Sequence, residues 1–587
     1  MAEYPVTFLK QGYTKQYPEG SVIGDILKQE AIGTPFICNG QGTCGKCRLK
    51  ATGLTSPPTF SERKLIPPSD LEAGIRLACQ VRTAGPVQLE TAAEANELNI
   101  LEEGYFKAER FDPLWSWRVL PRPPAAGWET IAKLLPPGVK SSLPVLQELA
   151  LLQPEIKNLT LEWLGSKALA VHPGEANPER FAVAIDIGTT TLAAYLVDLS
   201  NGKIRETASM YNPQGNYGAD VISRIQFAGS AEGLAKLHQS IIAACNSLIS
   251  ELVFKQGITR GDIIQLHLVG NSCMMHLLLK VSPAGLGQIP FEPVFKDFLQ
   301  LTPGETGLDI NPGGLVFMLP GIGGFVGSDI SAGALACKLG PQKNELFIDI
   351  GTNGEVVITG GGKMLACSTA AGPAFEGATI SCGMLAKPGA ITDISIDEGA
   401  VVVTTLNQAP PQGICGTGLI RSLVELIRKG FITETGRWAD GLSHPNYNPG
   451  QKRFYLVKDN AKPVFITQQD IRQFQLAKGA IRAGLELLLK RLNLSAGELE
   501  TVYLAGAFGT YLRPEDAIFL GLLPAVSLER VRAAGNTAGM GAVQTILSKT
   551  ALENLSSLVA GIEHVELAGD PCFTDVFTES MLFNIEV

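Results

Sequence analysis

The sequence lacks the features of several common protein classes. Its 57 acidic residues outnumber its 48 lysines and arginines, so the net charge of −9 argues against a general nucleic-acid binder. The start, MAEYPVTFLKQ, has neither the basic residues nor the apolar core of a signal peptide, and no uninterrupted apolar run reaches membrane-spanning length. We therefore predict a cytoplasmic protein whose partners are neither nucleic acid nor membrane.

A second C-x2-C pair, which zinc sites with four thiolates usually contain, is also missing. Disulfides are disfavoured in reducing compartments, so the eleven cysteines need another explanation. Four of them follow a C-x5-C-x2-C-x31-C spacing in CNGQGTCGKC and RLACQ, namely Cys38, Cys44, Cys47 and Cys79. Four thiolates can hold two irons bridged by two sulfides, with glycine N–H groups turned towards the sulfurs. The pattern favours a 2Fe–2S cluster over zinc.

Two hairpins share one pattern, an apolar strand, Asp-Ile-Gly-Thr and a second apolar strand. The first is FAVAIDIGTTTLAAYLVD from Phe181 to Asp198, and the second is LFIDIGTNGEVVI from Leu346 to Ile358. Glycine lets backbone N–H groups approach a phosphate closely, and an aspartate at the strand end can hold Mg²⁺ directly or through water. The repetition predicts a duplicated fold that grips phosphate between its halves.

At 587 residues the chain predicts about four domains. We divide it into a cluster domain (1–92), an acidic linker (93–110), a small α+β domain rich in tryptophan and proline (111–178) and a long α/β region (179–587). Within 111–178 we expect helices at 128–135 and 143–152 and a hairpin at 159–172. Its tryptophans predict either core packing or, for the domain as a whole, a docking or dimerisation surface.

Other segments of the long α/β region predict the rest of a nucleotide site. Gly321 to Leu339 and Asn536 to Leu547 read as helices of small residues against which two lobes could pack closely. An amphipathic helix from Asp470 to Leu492 contains Gln475 and Lys478, and the turn in TVYLAGAFG contains Gly506 and Gly509. His276, in LHLVGNSCMMHLLL, is expected to be a satisfied core residue rather than a ligand.

The order of these motifs resembles the ASKHA superfamily of acetate and sugar kinases, heat-shock chaperone ATPases and actin. The resemblance implies that ATP with Mg²⁺ binds between two lobes and that Asp329 orients the attacking water. Further implied site residues are Asp186, Gly188, Thr189 and Thr190 in the first phosphate motif, Asp349, Gly351, Thr352 and Gly354 in the second, and Gln475, Lys478, Gly506 and Gly509 around adenosine.

The combination of domains resembles one family closely, the reductive activators of corrinoid proteins. The segments GTCGKC and RLACQ resemble ferredoxins and imply a β-grasp fold, while GNSCMMH, AAGPAFEGA, GICGTGL and LAGAFG fit the activator family. Membership implies ATP-dependent reduction of a Co(II) corrinoid methyl carrier to Co(I), an upstream electron donor and a homodimer paired through the domain at 111–178.

Three alternatives remain open from the sequence. The first is an ATP-driven electron donor to a dehydratase. In that scheme Cys382 and Cys415 could be taken as cluster ligands, although their apolar surroundings predict buried small hydrophobic residues. The second is a small-molecule kinase with a redox domain. The third is an ATP-binding sensor or scaffold without useful hydrolysis.

Overall fold

The computed structural model describes most of the chain. The described residues are 2–30, 32, 42, 45, 47–90, 111–122, 127–153, 155–351, 353–372, 374–375, 377, 379–397, 399–458, 462–506, 509 and 512–583.

The N-terminal domain is a five-stranded sheet crossed by one helix. Its elements are β1 (Glu3–Phe8), β2 (Tyr13–Pro18), α1 (Ile23–Gln29), β3 (Arg48–Thr55), α2 (Phe60–Leu65), α3 (Pro68–Glu72), β4 (Ile75–Leu77) and β5 (Thr83–Glu90). The strand order is β2-β1-β5-β3-β4, in which only β1 and β5 run parallel. Ile23, Ile26 and Leu27 of α1 pack against Val6 and Phe8 in the core. This is the predicted β-grasp arrangement.

Residues 115–173 form an antiparallel three-stranded sheet with two short helices. The elements are β6 (Trp115–Pro121), α4 (Trp128–Ala132), α5 (Leu143–Leu151), β7 (Asn158–Leu164) and β8 (Lys167–Pro173). Ile131, Val145 and Trp163 share a small core, whereas Trp115 packs with the next domain. The predicted hairpin and both helices are present, with α4 ending three residues early.

The first lobe of the long α/β region is a six-stranded sheet with order β11-β10-β9-β12-β14-β13. Its elements are β9 (Phe181–Ile187), β10 (Thr191–Asp198), β11 (Ile204–Tyr211), α6 (Val221–Phe227), α7 (Ala231–Gln256), β12 (Ile263–Gly270), α8 (Ser272–Leu278), β13 (Leu299–Leu301), α9 (Pro303–Thr306), β14 (Leu315–Met318) and α10 (Ser328–Ala336). Strands β9 to β11 are antiparallel neighbours, and β12 and β14 run parallel to β9.

The second lobe repeats this plan and adds two small sheets. In chain order it contains β15 (Glu345–Ile350), β16 (Gly354–Gly360), β17 (Lys363–Thr369), β18 (Ala390–Asp397), β19 (Ala400–Thr405), β20 (Gly413–Ile414), α11 (Gly416–Arg428), β21 (Tyr447–Asn448), β22 (Arg453–Val457), β23 (Val464–Thr467), α12 (Gln468–Leu492), β24 (Thr501–Ala505), α13 (Pro514–Phe519), β25 (Val531–Gly535), α14 (Thr537–Leu547), α15 (Lys549–Ala560), β26 (Ile562–His564) and α16 (Phe573–Ser580).

Five of the six strands in the first large sheet have an equivalent in the second. The second has order β25-β24-β15-β16-β17-β26, with β15 to β17 antiparallel and β24 and β25 parallel to β15. Thus β9 corresponds to β15, β10 to β16, β11 to β17, β12 to β24 and β14 to β25. The predicted duplication is confirmed, and the two Asp-Ile-Gly-Thr motifs lie at equivalent strand ends of their sheets.

Helices α10 and α14 cross between the two sheets, as the small-residue segments predicted. A Cβ at Gly541 would overlap the carbonyl oxygen of Ala332, and one at Gly333 would lie 2.6 Å from the Phe347 ring. Only small residues let the two backbones approach this closely. The crossing therefore fixes the distance between the lobes.

Among the described helices, α7 alone has the length and apolar composition that could cross a membrane. Its Leu237, Ile241, Leu248 and Leu252 side chains are buried in the core of the first lobe. A buried stripe of this kind is that of a core helix packed against a sheet.

Candidate functional site

The first phosphate motif lies at the tip of the β9–β10 hairpin. Asp186 is half-buried near the end of β9, and a Cβ at Gly188 would lie 2.7 Å from the carbonyl oxygen of Thr191, so the turn requires glycine there. Asn271, at the N-terminus of α8, donates to the Thr189 hydroxyl over 2.9 Å. The carbonyl of Thr190 accepts from the backbone of residue 212 over 2.8 Å. The turn is thus held from two sides.

Two further polar side chains fix this turn from beneath. The Asn212 amide donates to the carbonyl of Gly188 over 2.8 Å. The fully buried Arg224 donates to the carbonyl of Thr189 over 2.6 Å and to that of Gly218 over 2.9 Å. These bonds hold carbonyl oxygens of the turn and so preorganise its backbone. Asn212 and Gly218, from the polar segment 211–225, are therefore part of the support of the turn.

The second phosphate motif occupies the equivalent position between β15 and β16. Asp349 is half-buried, the Gly351 N–H donates to the Asn353 carbonyl over 2.9 Å, and a Cβ at Gly354 would lie 2.5 Å from Ile481. Thr352 lies outside the described residues. A close turn with glycines on both sides is the geometry predicted for phosphate contact.

Four carboxyl groups gather where the two hairpins face each other. Burial raises the pKa of Asp186 to about 6, and burial with the charge of Asp186 raises that of Asp349 to about 7. Asp329, in the first turn of α10, has its pKa raised to about 8 by burial and by the charges of both other aspartates. Burial and the charges of Asp329 and Asp349 raise the pKa of Glu355 well above its usual value. These carboxyls form one electrostatic cluster.

This cluster fits a hydrated cation better than a direct protein cage. Within the described part of the chain, no three His, Cys, Asp or Glu side chains converge on one metal position. Mg²⁺ commonly keeps several waters and takes one or two carboxylates together with substrate phosphates. Asp186, beside the first phosphate turn, is placed to take part in such a site, and its holding of Mg²⁺, directly or through water, stays a prediction.

Asn536 connects the two halves at this point. It caps the N-terminus of α14 by accepting from the Gly539 N–H over 2.8 Å, while its amide donates to the Asp186 carboxylate over 3.0 Å. Sequence reasoning missed both Asn536 and Asn271. Each follows a strand and a glycine and precedes Ser or Thr at a helix start, a pattern typical of an N-cap. That signal predicts the cap but not the second contact.

The turn predicted to lie against adenine abuts the second phosphate motif. Gly506, which has φ of +83°, lies so close to Asp349 that a Cβ would be 2.5 Å from its carboxylate oxygen. A Cβ at Gly509 would meet the backbone of Leu504 at 3.2 Å. The structure thus brings this turn and the carboxylate cluster together.

Gln475 and Lys478 make different contacts from those expected. Gln475 donates to the carbonyls of Thr435 and Met581, over 3.3 and 3.0 Å, and Lys478 donates to the carbonyl of Leu582. Burial, with the nearby Arg482 charge, lowers the pKa of Lys478 to about 7. Both side chains hold the C-terminal segment onto α12. Among the contacts of the described residues, none joins them to the carboxylates of the cleft. Their role in adenosine binding stays a prediction.

His276 is a core residue, as expected. Its Nδ1 donates to the carbonyl of Ser272 over 2.7 Å, its Nε2 accepts from the Val294 N–H over 2.9 Å, and its ring stacks on Phe295. Both ring nitrogens are satisfied, which leaves none for a ligand.

Two of the four cluster cysteines lie in the described residues. The sulfurs of Cys47 and Cys79 are 3.3 Å apart, close enough to bind one iron. A hydrogen bond from Cys47, opposed by burial and supported by Gln80 and the Gly42 N–H, lowers the pKa of Cys79 to about 6. Cys38 and Cys44 lie outside the described residues. Paired sulfurs with an N–H directed at one of them fit a thiolate-bound cluster.

The cluster domain contacts the second lobe through an exposed ion pair. Arg48 donates to the carbonyl of Gly45 over 3.0 Å and lies 3.8 Å from Asp70, which is 3.4 Å from Lys462 of the second lobe. Exposed pairs contribute about 0–1 kcal/mol. This ion pair by itself therefore contributes little to the position of the cluster domain.

Fold and site together define a duplicated ASKHA domain joined to a ferredoxin-type 2Fe–2S domain. The model of the C-terminal domain of RACo, the ASKHA domain, matches residues 343–586, that of the RACo middle region matches 181–342, and that of the 2Fe–2S iron-sulfur cluster binding domain matches 7–84. In that division the middle region is the first lobe with α10. Our boundaries at 92, 110 and 178 stay predictions.

Whole-chain comparisons agree. The chain is 32% identical to the corrinoid activation enzyme RamQ of Eubacterium limosum, with 97% of each chain covered. It is 26% identical to the Co(II) methylated amine-specific corrinoid protein reductase of Methanosarcina barkeri, over 68% of this chain and 76% of that relative. The solved structure of a reductive activator for corrinoid, iron-sulfur protein matches with a TM-score of 0.71 at 30% identity and covers 99% of this chain and 98% of that one. The chain belongs to the family of reductive activators of corrinoid proteins.

Proposed function

We propose that this protein uses ATP hydrolysis to reduce the inactive Co(II) form of a corrinoid methyl-carrier protein to Co(I), passing on one electron from an upstream donor. The observation that carries the proposal is the joining, in one chain of this family, of a paired-thiol site with a four-carboxylate cleft between duplicated lobes. Cys38, Cys44, Cys47 and Cys79 would hold a 2Fe–2S cluster, which supplies a one-electron carrier when bound.

ATP is needed because the electron has to move uphill. Plant-type clusters have potentials of about −400 mV, and the family resemblance implies a lower potential for the Co(II)/Co(I) couple. For one electron, each ~59 mV uphill lowers the equilibrium constant tenfold. A nucleotide can offset this only if the protein binds the two corrinoid states with different affinity in its open and closed forms. We propose that the lobes close on ATP and that hydrolysis reshapes or releases the corrinoid protein.

In the cleft, each predicted residue has a role suited to its place. Asp186 would hold Mg²⁺ through water, and this ion would neutralise phosphate charge when bound. Asp329 orients the attacking water, and Asp349 belongs to the second phosphate turn. Backbone N–H groups and hydroxyls would close round the phosphates, and the last two glycines would lie against adenine; these residues are Gly188, Thr189, Thr190, Gly351, Thr352, Gly354, Gly506 and Gly509.

We further propose that the reaction takes place in the cytoplasm and that two subunits pair through the sheet at 115–173. Nine cysteines are described and none of the nine forms a disulfide, as a reducing compartment favours. Helix α5 lies beside this sheet, and its exposed Leu143, Leu146 and Leu151 offer an apolar face to a second copy.

One experiment tests the reaction directly. The anaerobically reduced protein is mixed with a Co(II) corrinoid methyl carrier, and Co(I) absorbance is followed with ATP, without nucleotide and with a non-hydrolysable analogue. We expect Co(I) only with hydrolysable ATP. Equal Co(I) without nucleotide would reduce the cluster domain to a plain electron donor. ATP consumption with no Co(I) from any carrier would favour the dehydratase-activator or kinase alternatives.

A further inference from the structure

Glu355 lies in a row of side chains that crosses the second sheet at the cleft. In the strand register, Ala505 of β24 is opposite Asp349 of β15, Asp349 is opposite Glu355 of β16, and Glu355 is opposite Ser368 of β17. Directly opposed residues point to the same face, with Cβ atoms about 4.5–5.5 Å apart. Glu355 therefore faces the same side as Asp349, towards the N-terminus of α10.

The side chain is buried and held in position. Glu355 is 9% exposed, and its carboxylate accepts a hydrogen bond from the Ser368 hydroxyl over 3.2 Å. The Asn353 side chain also hydrogen-bonds to it, and the charges that raise its pKa together with burial are those of Asp329 and Asp349, both acids of the cleft. Burying a carboxyl beside other acids lowers the stability of the folded protein. Such groups are found mainly at functional sites, so the position of Glu355 indicates a function in the cleft.

The first lobe provides an internal comparison. Its equivalent row is Val269, Asp186, Ala193 and Ser209. The position equivalent to Glu355 is thus occupied by Ala193, although the aspartate and the serine recur. The fold itself does not require an acid at this position, because the other copy is built without one.

We propose that Glu355 is a further functional residue of the nucleotide cleft that acts on the hydrolysis of ATP and not on its binding. This inference rests on the proposed ATPase function. The Glu355 carboxylate accepts a hydrogen bond from the attacking water and takes its proton. The water oxygen bonds to the γ-phosphorus, the bond from that phosphorus to the β,γ-bridging oxygen breaks, and ADP leaves with the bond's electron pair.

The test compares Glu355→Gln with wild type in two assays on the full-length protein loaded with its cluster. MgATP affinity is measured by titration calorimetry, and turnover by release of phosphate. Because glutamine keeps an acceptor oxygen but takes no proton, we expect turnover to fall by about 10²–10⁴-fold. The dissociation constant for MgATP should stay within about threefold. Glu355→Asp should restore part of the turnover.

A matched control lies on the neighbouring strand. Glu345 is a 2% exposed glutamate at the other end of β15, and burial raises its pKa too, but it lies beside Tyr503 and Lys343 rather than in the cleft. Glu345→Gln should leave both affinity and turnover within about twofold of wild type, a bound well below the smallest effect of a lost general base.

Each other result has a definite meaning. Turnover of Glu355→Gln close to wild type would overturn the role of Glu355 and leave the proposed function standing. An equal loss of affinity, turnover and unfolding midpoint would also overturn it, in favour of a structural role. Absence of MgATP binding and turnover in wild type would overturn the proposed function and this inference with it.

Discussion

The first and second lobes present the same hairpin to the cleft but surround it with different side chains. Asp186 faces the neutral amide of Asn536, which donates to it over 3.0 Å, and the next residue in its row is Ala193. Asp349 lies opposite the acid Glu355 in its row, while Asp329 interacts with both aspartates. Duplication thus supplied the same hairpin twice, while the second copy carries one additional acid, Glu355. We infer that the first hairpin mainly anchors MgATP and the second mainly promotes hydrolysis.

The largest effects on this difference between the hairpins are expected when each aspartate is replaced in turn. Asp186→Ala and Asp349→Ala should each lower ATP turnover by about 10²–10³-fold or more, because each removes a charge placed at the phosphates. Asp186→Ala should also weaken MgATP binding, whereas Asp349→Ala should bind MgATP nearly as wild type does. Calorimetry and phosphate release separate the two effects.

The cluster absorbance of both variants provides the control, since neither residue lies in the cluster domain. Identical binding and turnover losses in the two variants would contradict the proposed division of labour between the hairpins.

The first lobe also differs from the second in its neighbour, because a buried carboxylate ties the sheet at 115–173 to it. Glu162 accepts from Trp115, His172 and Arg180 at 2.6 to 2.9 Å. Burial alone would raise its pKa, but these hydrogen bonds and the Arg180 charge lower it to about 2. Glu162→Gln should cost about 1.5–3 kcal/mol in unfolding free energy at pH 7, because it removes the charged acceptor of the Arg180 hydrogen bonds, while Asp262 stays 3.6 Å from that guanidinium.

The sign of the pH dependence follows from the lowered pKa. The unfolded value is about 4.3, so the stabilisation is complete above about pH 5 and is lost as the pH falls towards 2. The gap between wild type and Glu162→Gln in urea unfolding, followed by tryptophan fluorescence, should therefore shrink in acid. The exposed Glu155→Gln serves as control. A gap that stayed constant from pH 7 to pH 3 would sink the assignment.

The crossing of α10 and α14 is a close backbone contact between the two lobes. Gly541→Ala should destabilise the protein by about 1–3 kcal/mol, because the new methyl group overlaps the Ala332 carbonyl and separates the helices. Gly497→Ala is the matched control, since a Cβ there meets nothing within 4 Å. Urea unfolding measures both. Equal midpoints would mean that the helices adjust freely.

What could be predicted from the sequence was local. The two Asp-Ile-Gly-Thr hairpins, the small-residue helices and the cysteine spacing are each contained in a short stretch, so pattern alone identified them. The row that contains Glu355 depends on the register of three strands, and the contact between Asn536 and Asp186 joins residues 350 positions apart. Gln475 and Lys478 were placed on the right helix, but the C-terminal segment that contacts them is about 100 residues distant. Such contacts are set by tertiary packing, which propensity and spacing do not encode.

The finest test exchanges the neutral neighbour of Asp186. In Asn536→Ser the hydroxyl can still cap α14, because serine is a favoured N-cap, but it is too short to donate to Asp186 as the amide does. Loss of one hydrogen bond to a charged group, about 1.5 kcal/mol, should lower kcat/KM for MgATP roughly tenfold. The unfolding midpoint should hardly change. In Asn536→Asp the first hairpin acquires an acidic neighbour like that of the second. The added repulsion should lower the stability of the protein measured without MgATP, and it should make nucleotide binding depend more strongly on Mg²⁺. If Asn536→Ser bound and hydrolysed MgATP like wild type, the amide would be only a cap, and the difference between the lobes would rest on Glu355 alone.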